Sequence, residues 1–309
     1  MRNEFAAAIN RLAQQDPSFI LLTADLGYGV LTDFAHNFPN QFVNVGVAEQ
    51  NMIGIAAGLA MSGRTVFTYS IANFATLRCL EQIRNDICYP ELSVTVVAVG
   101  GGYSYGSAGY SHHATEDLAI MRAMPNMTVL APGDGWEATE ATMAAAKLGR
   151  PCYLRLDRSA GGVAPDGDDE GFRIGRLRRI HGGPTVVLVA SGGILGAALQ
   201  AKIILDQSGI EVGVVSCHTV KPLDRRGIVE IATSSSLLVT IEEHSVIGGL
   251  GSAVAELVVD EFIPVRLLRL ALPDGFPSVV GSQDFLRNRY GLSPEHIADQ
   301  ISARLAVTG

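Results

Sequence analysis

The chain has 309 residues, of which 48% are hydrophobic and 17% charged, with a formal net charge of -8. A length of this order points to two domains, and so apolar a composition points to sheets covered on both faces or to a sizeable interface. The acidic balance, without a basic stripe, argues against nucleic acid as the main partner; the short clusters Arg176–Arg179 and Arg225–Arg226 read as solvated surface.

Apolar runs and helical patterns alternate from the start. A helix over Glu4–Gln14 precedes a strand at Phe19–Thr23; Gln41–Val47 is the next strand and leads into a helix from Glu49 to Ser62. Thr65–Tyr69 reads as a strand, Phe74–Cys88 as a helix, and Ser93–Val99 as a strand too apolar to be half exposed. Thr115–Ala123 is helical, Met127–Ala131 a strand, Trp136–Leu148 a helix, and Cys152–Leu156 closes the series. Gly161–Gly171 (GGVAPDGDDEG) is rich in Gly, Asp and Pro, a linker composition.

A second alternating series follows. Thr185–Ala190, Gly213–Cys217, Leu237–Ile241 and Pro264–Leu268 read as strands, with helical patterns at Leu195–Gln207, Arg225–Ala232, Gly251–Glu261 and Glu295–Leu305. The expected fold class is therefore α/β, two domains that each hold a mostly parallel β-sheet flanked by helices. The expected domain bounds are 1–160, a linker over 161–183, and 184–309.

The four cysteines, Cys79, Cys88, Cys152 and Cys217, form no C-x-x-C pair. The sequence thus points to neither zinc nor a disulfide framework, but to free, mostly buried thiols in a reducing cytoplasm. No run approaches about 18 uninterrupted apolar residues, and residues 1–16 disperse their charges, so neither a membrane span nor a secretory leader is expected.

Four segments carry chemistry. In Val43–Gly63 a strand ends near Gly46 and Glu49 opens a helix whose small residues, Gly54, Ala56, Ala57, Gly58 and Ala60, allow another backbone to approach. Taken alone, Glu49 is a carboxylate favoured by the helix dipole. Thr68–Asp86 places Phe74 ahead of an R-x-x-x-Q helix, where an aromatic side chain is ordinarily core. Gly106–Met127 sets His112 and His113 on a Gly/Ser loop with no acidic or cysteine ligand at zinc spacing, so no metal site is expected there. Arg155–Ser159 (RLDRS) ends the first strand series; a guanidinium such as that of Arg158 suits bidentate anion binding or a surface ion pair.

Together these segments resemble the transketolase family, across nearly the whole chain and most closely over residues 40–160. The resemblance implies a pyrimidine-binding domain followed by a transketolase C-terminal domain. It implies that Glu49 is catalytic, hydrogen-bonding a ring nitrogen of the thiamine diphosphate aminopyrimidine and so promoting proton removal from the thiazolium carbon. Phe74 matches the aromatic that stacks on that ring. Ile71 stands where the family has a further aromatic, and Asp25, in the first loop, falls among the cofactor-binding residues. His112 matches the histidine that hydrogen-bonds substrate oxygens, and Arg158 and Arg2 match the arginines that grip a sugar phosphate.

Several positions depart from the family pattern. Ser107 and Ala108 replace an acidic pair, Gly100 replaces a phosphate-contacting histidine, and Gly29 a phosphate-contacting serine. Cofactor chemistry is thus expected to be intact and substrate recognition altered, towards an unphosphorylated sugar or a specialised metabolite.

Gly133–Asp134–Gly135 mimics the family's G-D-G metal motif, yet positions 158–168 offer no asparagine, and Glu137 fits a P-x-D-x-x-E element instead. Mg²⁺ and the diphosphate are therefore expected on a partner, an N-terminal-half transketolase subunit, in an α₂β₂ assembly acting on small sugar or ketose substrates. Glu243–His244, ahead of the Gly248–Gly251 turn, reads as a turn motif of the second domain. The alternatives are the β subunit of a 2-oxoacid or acetoin dehydrogenase, a 1-deoxyxylulose-5-phosphate-synthase-like carboligase, and a non-catalytic scaffold subunit.

Overall fold

The computed structural model describes residues 1–158, 171–182 and 185–306, so most of the Gly/Asp-rich linker lies outside the described residues. The first half contributes strands β1 (Phe19–Thr23), β2 (Phe42–Asn44), β3 (Thr65–Ile71), β4 (Val94–Val99), β5 (Thr128–Leu130) and β6 (Cys152–Leu156). The second contributes β7 (Arg178–His181), β8 (Val186–Ser191), β9 (Val212–Ser216), β10 (Thr219–Lys221), β11 (Leu237–Ser245) and β12 (Arg266–Leu272). One sheet has the order β10-β5-β6-β4-β3-β1-β2 and the other β12-β11-β8-β9-β7. Every pairing is parallel except β10 on β5 and β7 on β9. The expected pair of mostly parallel sheets flanked by helices is what forms.

Side chains that alternate along a strand feed opposite faces, and both faces of the first sheet are covered. Ile20 and Leu22 pack with Met52, Ile53 and Ala56 of the helix Glu49–Met61. Phe19 and Leu21 pack with Phe5 and Ile9 of the helix Arg2–Gln15 and Ala138 and Ala141 of the helix Gly135–Lys147. Leu21 is fully buried, and truncating such a side chain to Ala costs about 2–5 kcal/mol. Double-sided burial explains why β1 and β4 read as continuous apolar runs. The four cysteines are free and buried. Among the described residues no helix is long and apolar enough to cross a membrane.

The two halves interlock more closely than a linker boundary implies. β10, from the second half, completes the first sheet by pairing with β5. β7, inside the segment read as linker, is the edge of the second sheet. Arg176 and Arg179 are exposed, as expected of solvated surface, but Arg178 is only 3% exposed, which corrects that reading for this residue: its Nη1 lies 2.6 Å from Asp134 and 3.2 Å from Glu137. Asp134 also caps the helix Gly135–Lys147 by accepting the Glu137 N–H at 2.8 Å. The Gly133–Asp134–Gly135 motif thus serves a helix cap and an ion pair, and among the described residues no group of three potential metal ligands is assembled.

A second junction corrects the reading of Glu243–His244 as a local turn. Both side chains are buried and both reach into the first domain. Glu243 accepts the Tyr103 N–H at 2.5 Å and ion-pairs with Arg287, while His244 Nε2 accepts the Ala119 N–H at 3.2 Å. Arg155 of β6 binds Asp117 at 2.9 Å, the Ala114 carbonyl at 3.1 Å and the Glu243 carbonyl at 2.9 Å. Backbone must pass close here. Gly102 has φ +58°, and a Cβ on it would sit 2.6 Å from the Glu243 carboxylate.

Candidate active site

The candidate residues gather at the carboxyl ends of the parallel strands. In such sheets ligands settle where the strand order reverses, and here the reversal falls between β1 and β3. Gly46 (φ +74°) turns the chain after β2, and Glu49 opens the following helix, 3% exposed. A carboxylate is favoured at a helix N-terminus because the peptide dipoles converge there.

The segment expected as one helix over Phe74–Cys88 is broken into pieces. A short helix, Ala72–Thr76, carries Phe74; a 3₁₀ turn, Leu77–Cys79, carries Arg78; and after Leu80–Gln82 a π-helical turn spans Ile83–Cys88. Departures of this kind within a helix concentrate at functional sites. Here they aim Arg78 back at the pocket: its Nη1 is 2.7 Å from Glu49 Oε2, and its guanidinium carbon is 4.6 Å from the centroid of the Phe74 ring.

Phe74 meets the His112 imidazole edge to face, with centroids 5.1 Å apart. Asn73 fastens the two segments together by donating to the Ser111 carbonyl at 2.7 Å, and Ser111 Oγ lies 3.0 Å from His112 Nδ1. His112 is half-buried, whereas its neighbour His113 is buried, faces the Gly106 carbonyl at 3.2 Å, and has its pKa pushed down chiefly by desolvation. A cavity of about 690 Å³ opens beside these residues, lined by Phe74, Arg78, Ser111, His113, Tyr110 and Phe276. A smaller one of about 380 Å³ lies over Glu49 and is also walled by Arg78.

Tyr105 extends the line of contacts. Its ring is 6.1 Å from His112, and the Arg158 guanidinium lies 4.7 Å above its centroid. It also explains Gly100, because a Cβ there, at φ +92°, would sit 2.1 Å from the Tyr105 ring. Burial pushes the Tyr105 pKa up, so the phenol stays neutral. Behind it a cavity of about 230 Å³ is lined by Arg2, Gly27, Tyr28, Ser70, Ile71 and Tyr105.

Glu49, Phe74, His112 and Arg158 thus form one chain of contacts through Arg78 and Tyr105. Arg2 and Ile71 share the adjoining cavity, both on its wall. Asp25 precedes the cavity-lining Leu26, Gly27 and Tyr28. At φ +56°, its Oδ1 accepts the Tyr28 hydroxyl at 2.9 Å and an Asn44 Nδ2–H at 3.2 Å. The contributions of Arg78, Tyr105 and Phe276 were not foreseen. Arg78 lies in the R-x-x-x-Q stretch, but nothing in that spacing announces a broken helix.

A buried carboxylate within one side chain of an aromatic face suits a flat heterocycle that hydrogen-bonds along its edge. Arg78, planar and delocalised, now makes contacts of that kind.

The chain belongs to the transketolase family: residues 1–162 match the family's pyrimidine binding domain and residues 175–297 its C-terminal domain. It is 39% identical to a putative transketolase C-terminal section of Methanocaldococcus jannaschii, over 97% of this chain and 95% of that one. It is 35% identical to an apulose-4-phosphate transketolase subunit of Phocaeicola vulgatus, over 96% and 94%. A solved split-gene transketolase, described as an inactive β4 tetramer, superposes with a TM-score of 0.88 at 38% identity, over 99% of this chain and 97% of that one. The chain therefore corresponds to the C-terminal-half subunit of split transketolases.

Proposed function

We propose that the chain is the catalytic subunit of a split transketolase that moves a two-carbon ketol unit from a ketose donor to an aldehyde acceptor. Thiamine diphosphate supplies a nucleophilic carbon and an electron sink when bound. Glu49 holds a proton against the ring edge, Phe74 offers its face, and the half-exposed His112 imidazole reaches substrate oxygens. The diphosphate and Mg²⁺ are held by an N-terminal-half partner subunit in a cytoplasmic α₂β₂ assembly. The single observation that carries this reading is the buried Glu49 carboxylate, bridged to the face of Phe74 by one planar group.

Substrate recognition is altered on the side of Arg2 and Arg158, both proposed substrate-binding residues. Tyr105 fills the side-chain space at Gly100 and takes the face of the Arg158 guanidinium. That arrangement supports a donor or acceptor other than the common phosphorylated ketoses. Ile71 and Asp25 are proposed to bound the pocket, and the proposed domains are 1–160 and 184–309, with β10 crossing to the first sheet and β7 joining the second sheet from the linker.

The test is ketol transfer by the complex reconstituted with its partner. Glu49→Ala loses most of the activity; a scaffold protein carrying the same change would keep it, and that result overturns the proposal.

A further inference from the structure

We infer that Arg78 is a placeholder for the aminopyrimidine: it occupies the Glu49–Phe74 pocket by making the heterocycle's own contacts, and it must swing out for the cofactor to enter. The inference rests on the proposed assignment of that pocket. The guanidinium lies over the Phe74 ring, 4.6 Å from the centroid to its carbon, and donates to Glu49 Oε2 at 2.7 Å. A flat, delocalised group with N–H donors at its edge is the class of ligand such a carboxylate and ring select. An incoming aminopyrimidine needs the same carboxylate oxygens and the same ring, so the two compete.

The surroundings are built for such an exchange. The Arg78 side chain is 46% exposed while Glu49 is 3% exposed, so the arginine is the partner that leaves for water. Arg78 walls both the cavity of about 690 Å³ beside Phe74 and that of about 380 Å³ over Glu49, so one side chain borders both. Its backbone sits in the 3₁₀ turn Leu77–Cys79, between two short helical pieces, where a small change of dihedrals re-aims the side chain. While seated it keeps Glu49 turned into the pocket and supplies the buried carboxylate with a counter-charge. It is therefore a positioning residue, and its occupancy lowers the apparent affinity for the heterocycle.

The experiment titrates the purified full-length chain with thiamine by isothermal calorimetry, with circular dichroism as the check on folding. Losing a partly exposed ion pair and its cation–π contact should make Arg78→Met bind about tenfold more tightly than wild type. Arg78→Lys should fall between them, since an ammonium pairs with Glu49 but cannot lie flat on Phe74. Methylguanidinium added to Arg78→Met should compete with thiamine and bring its apparent affinity back towards that of wild type, an effect that a merely structural arginine would not produce. If Arg78→Met does not fold, Arg78→Lys and wild type decide the matter, and equal affinities overturn the inference. Equal or weaker binding by a folded Arg78→Met overturns it as well, and leaves the pocket standing if Glu49→Ala has lost thiamine. Should Glu49→Ala bind as wild type does, or no variant bind at millimolar thiamine, the pocket assignment falls too.

Discussion

Replacing Arg155 by Met tests a deeply buried charge at the junction of the two domains. Arg155 is 2% exposed and its partner Asp117 1%, with the ion pair closed at 2.9 Å. The Tyr153 hydroxyl donates to the same Asp117 oxygen at 2.6 Å, and Arg155 also holds the carbonyls of Ala114 and Glu243. Methionine nearly fills the volume but leaves a buried carboxylate uncompensated, which costs about 3–5 kcal/mol. For a chain of this size each kcal/mol corresponds to roughly 2 °C, so thermal unfolding should begin about 6–10 °C lower. Asp117→Leu combined with Arg155→Met removes both charges and should recover most of that loss. Differential scanning calorimetry of the two variants and wild type measures the cycle. A single variant that melts within about 2 °C of wild type, or a double variant no better than the single, would refute the assignment of this pair as a stabilising latch.

Burial, reinforced by Asp134, pushes Glu137 from its ordinary 4.5 up to about 7. The folded chain therefore keeps a proton that the unfolded chain has released, so this group's contribution to stability declines as pH climbs from about 4.5 to about 7. Glu137→Gln should gain on wild type across that window in urea titrations; parallel stability–pH curves would contradict this. His218, stacked on Phe172 with centroids 4.2 Å apart, is held down to about 3 mainly by desolvation, so its contribution is lost as pH falls from 6.5 towards that value. His218→Gln should flatten the acid side of the curve, and an unchanged slope would count against the buried neutral imidazole. Tyr105→Ala should open the Arg158 face and raise turnover of phosphorylated relative to plain ketoses in the reconstituted complex. A donor profile identical to that of wild type would remove Tyr105 from substrate selection.

Regular elements with one strong signal were legible in the sequence. Cys152–Leu156 and Leu195–Gln207 form with the bounds their patterns indicate, because a short, mostly apolar strand and a long uninterrupted helix each give a strong signal. β10 and the helix Gln283–Arg289 went unread. Three residues carry no period, and the helix is made mostly of polar side chains, two of which, Gln283 and Arg287, hold Glu243. Arg178 was misread because its acidic partners lie more than forty positions upstream, and sequence spacing reports neighbours only over a helical turn or a strand pair. The pocket was half visible. Glu49, Phe74 and His112 fall in segments whose family pattern is plain, whereas Arg78 and Tyr105 acquire their places only from tertiary geometry, where the helix breaks and where Gly100 leaves room.

The short strand β10 has a consequence for anyone seeking to dissect the protein. It is borrowed: Thr219 and Lys221 register against Leu130 and Val129, so the outermost ladder of the first sheet is closed by chain from beyond the linker. Truncation after Arg158 would bare the backbone amides and carbonyls of β5 along a flat rim, inviting another molecule to add a strand. A polypeptide stopped there should assemble into sticky oligomers rather than a small independent module.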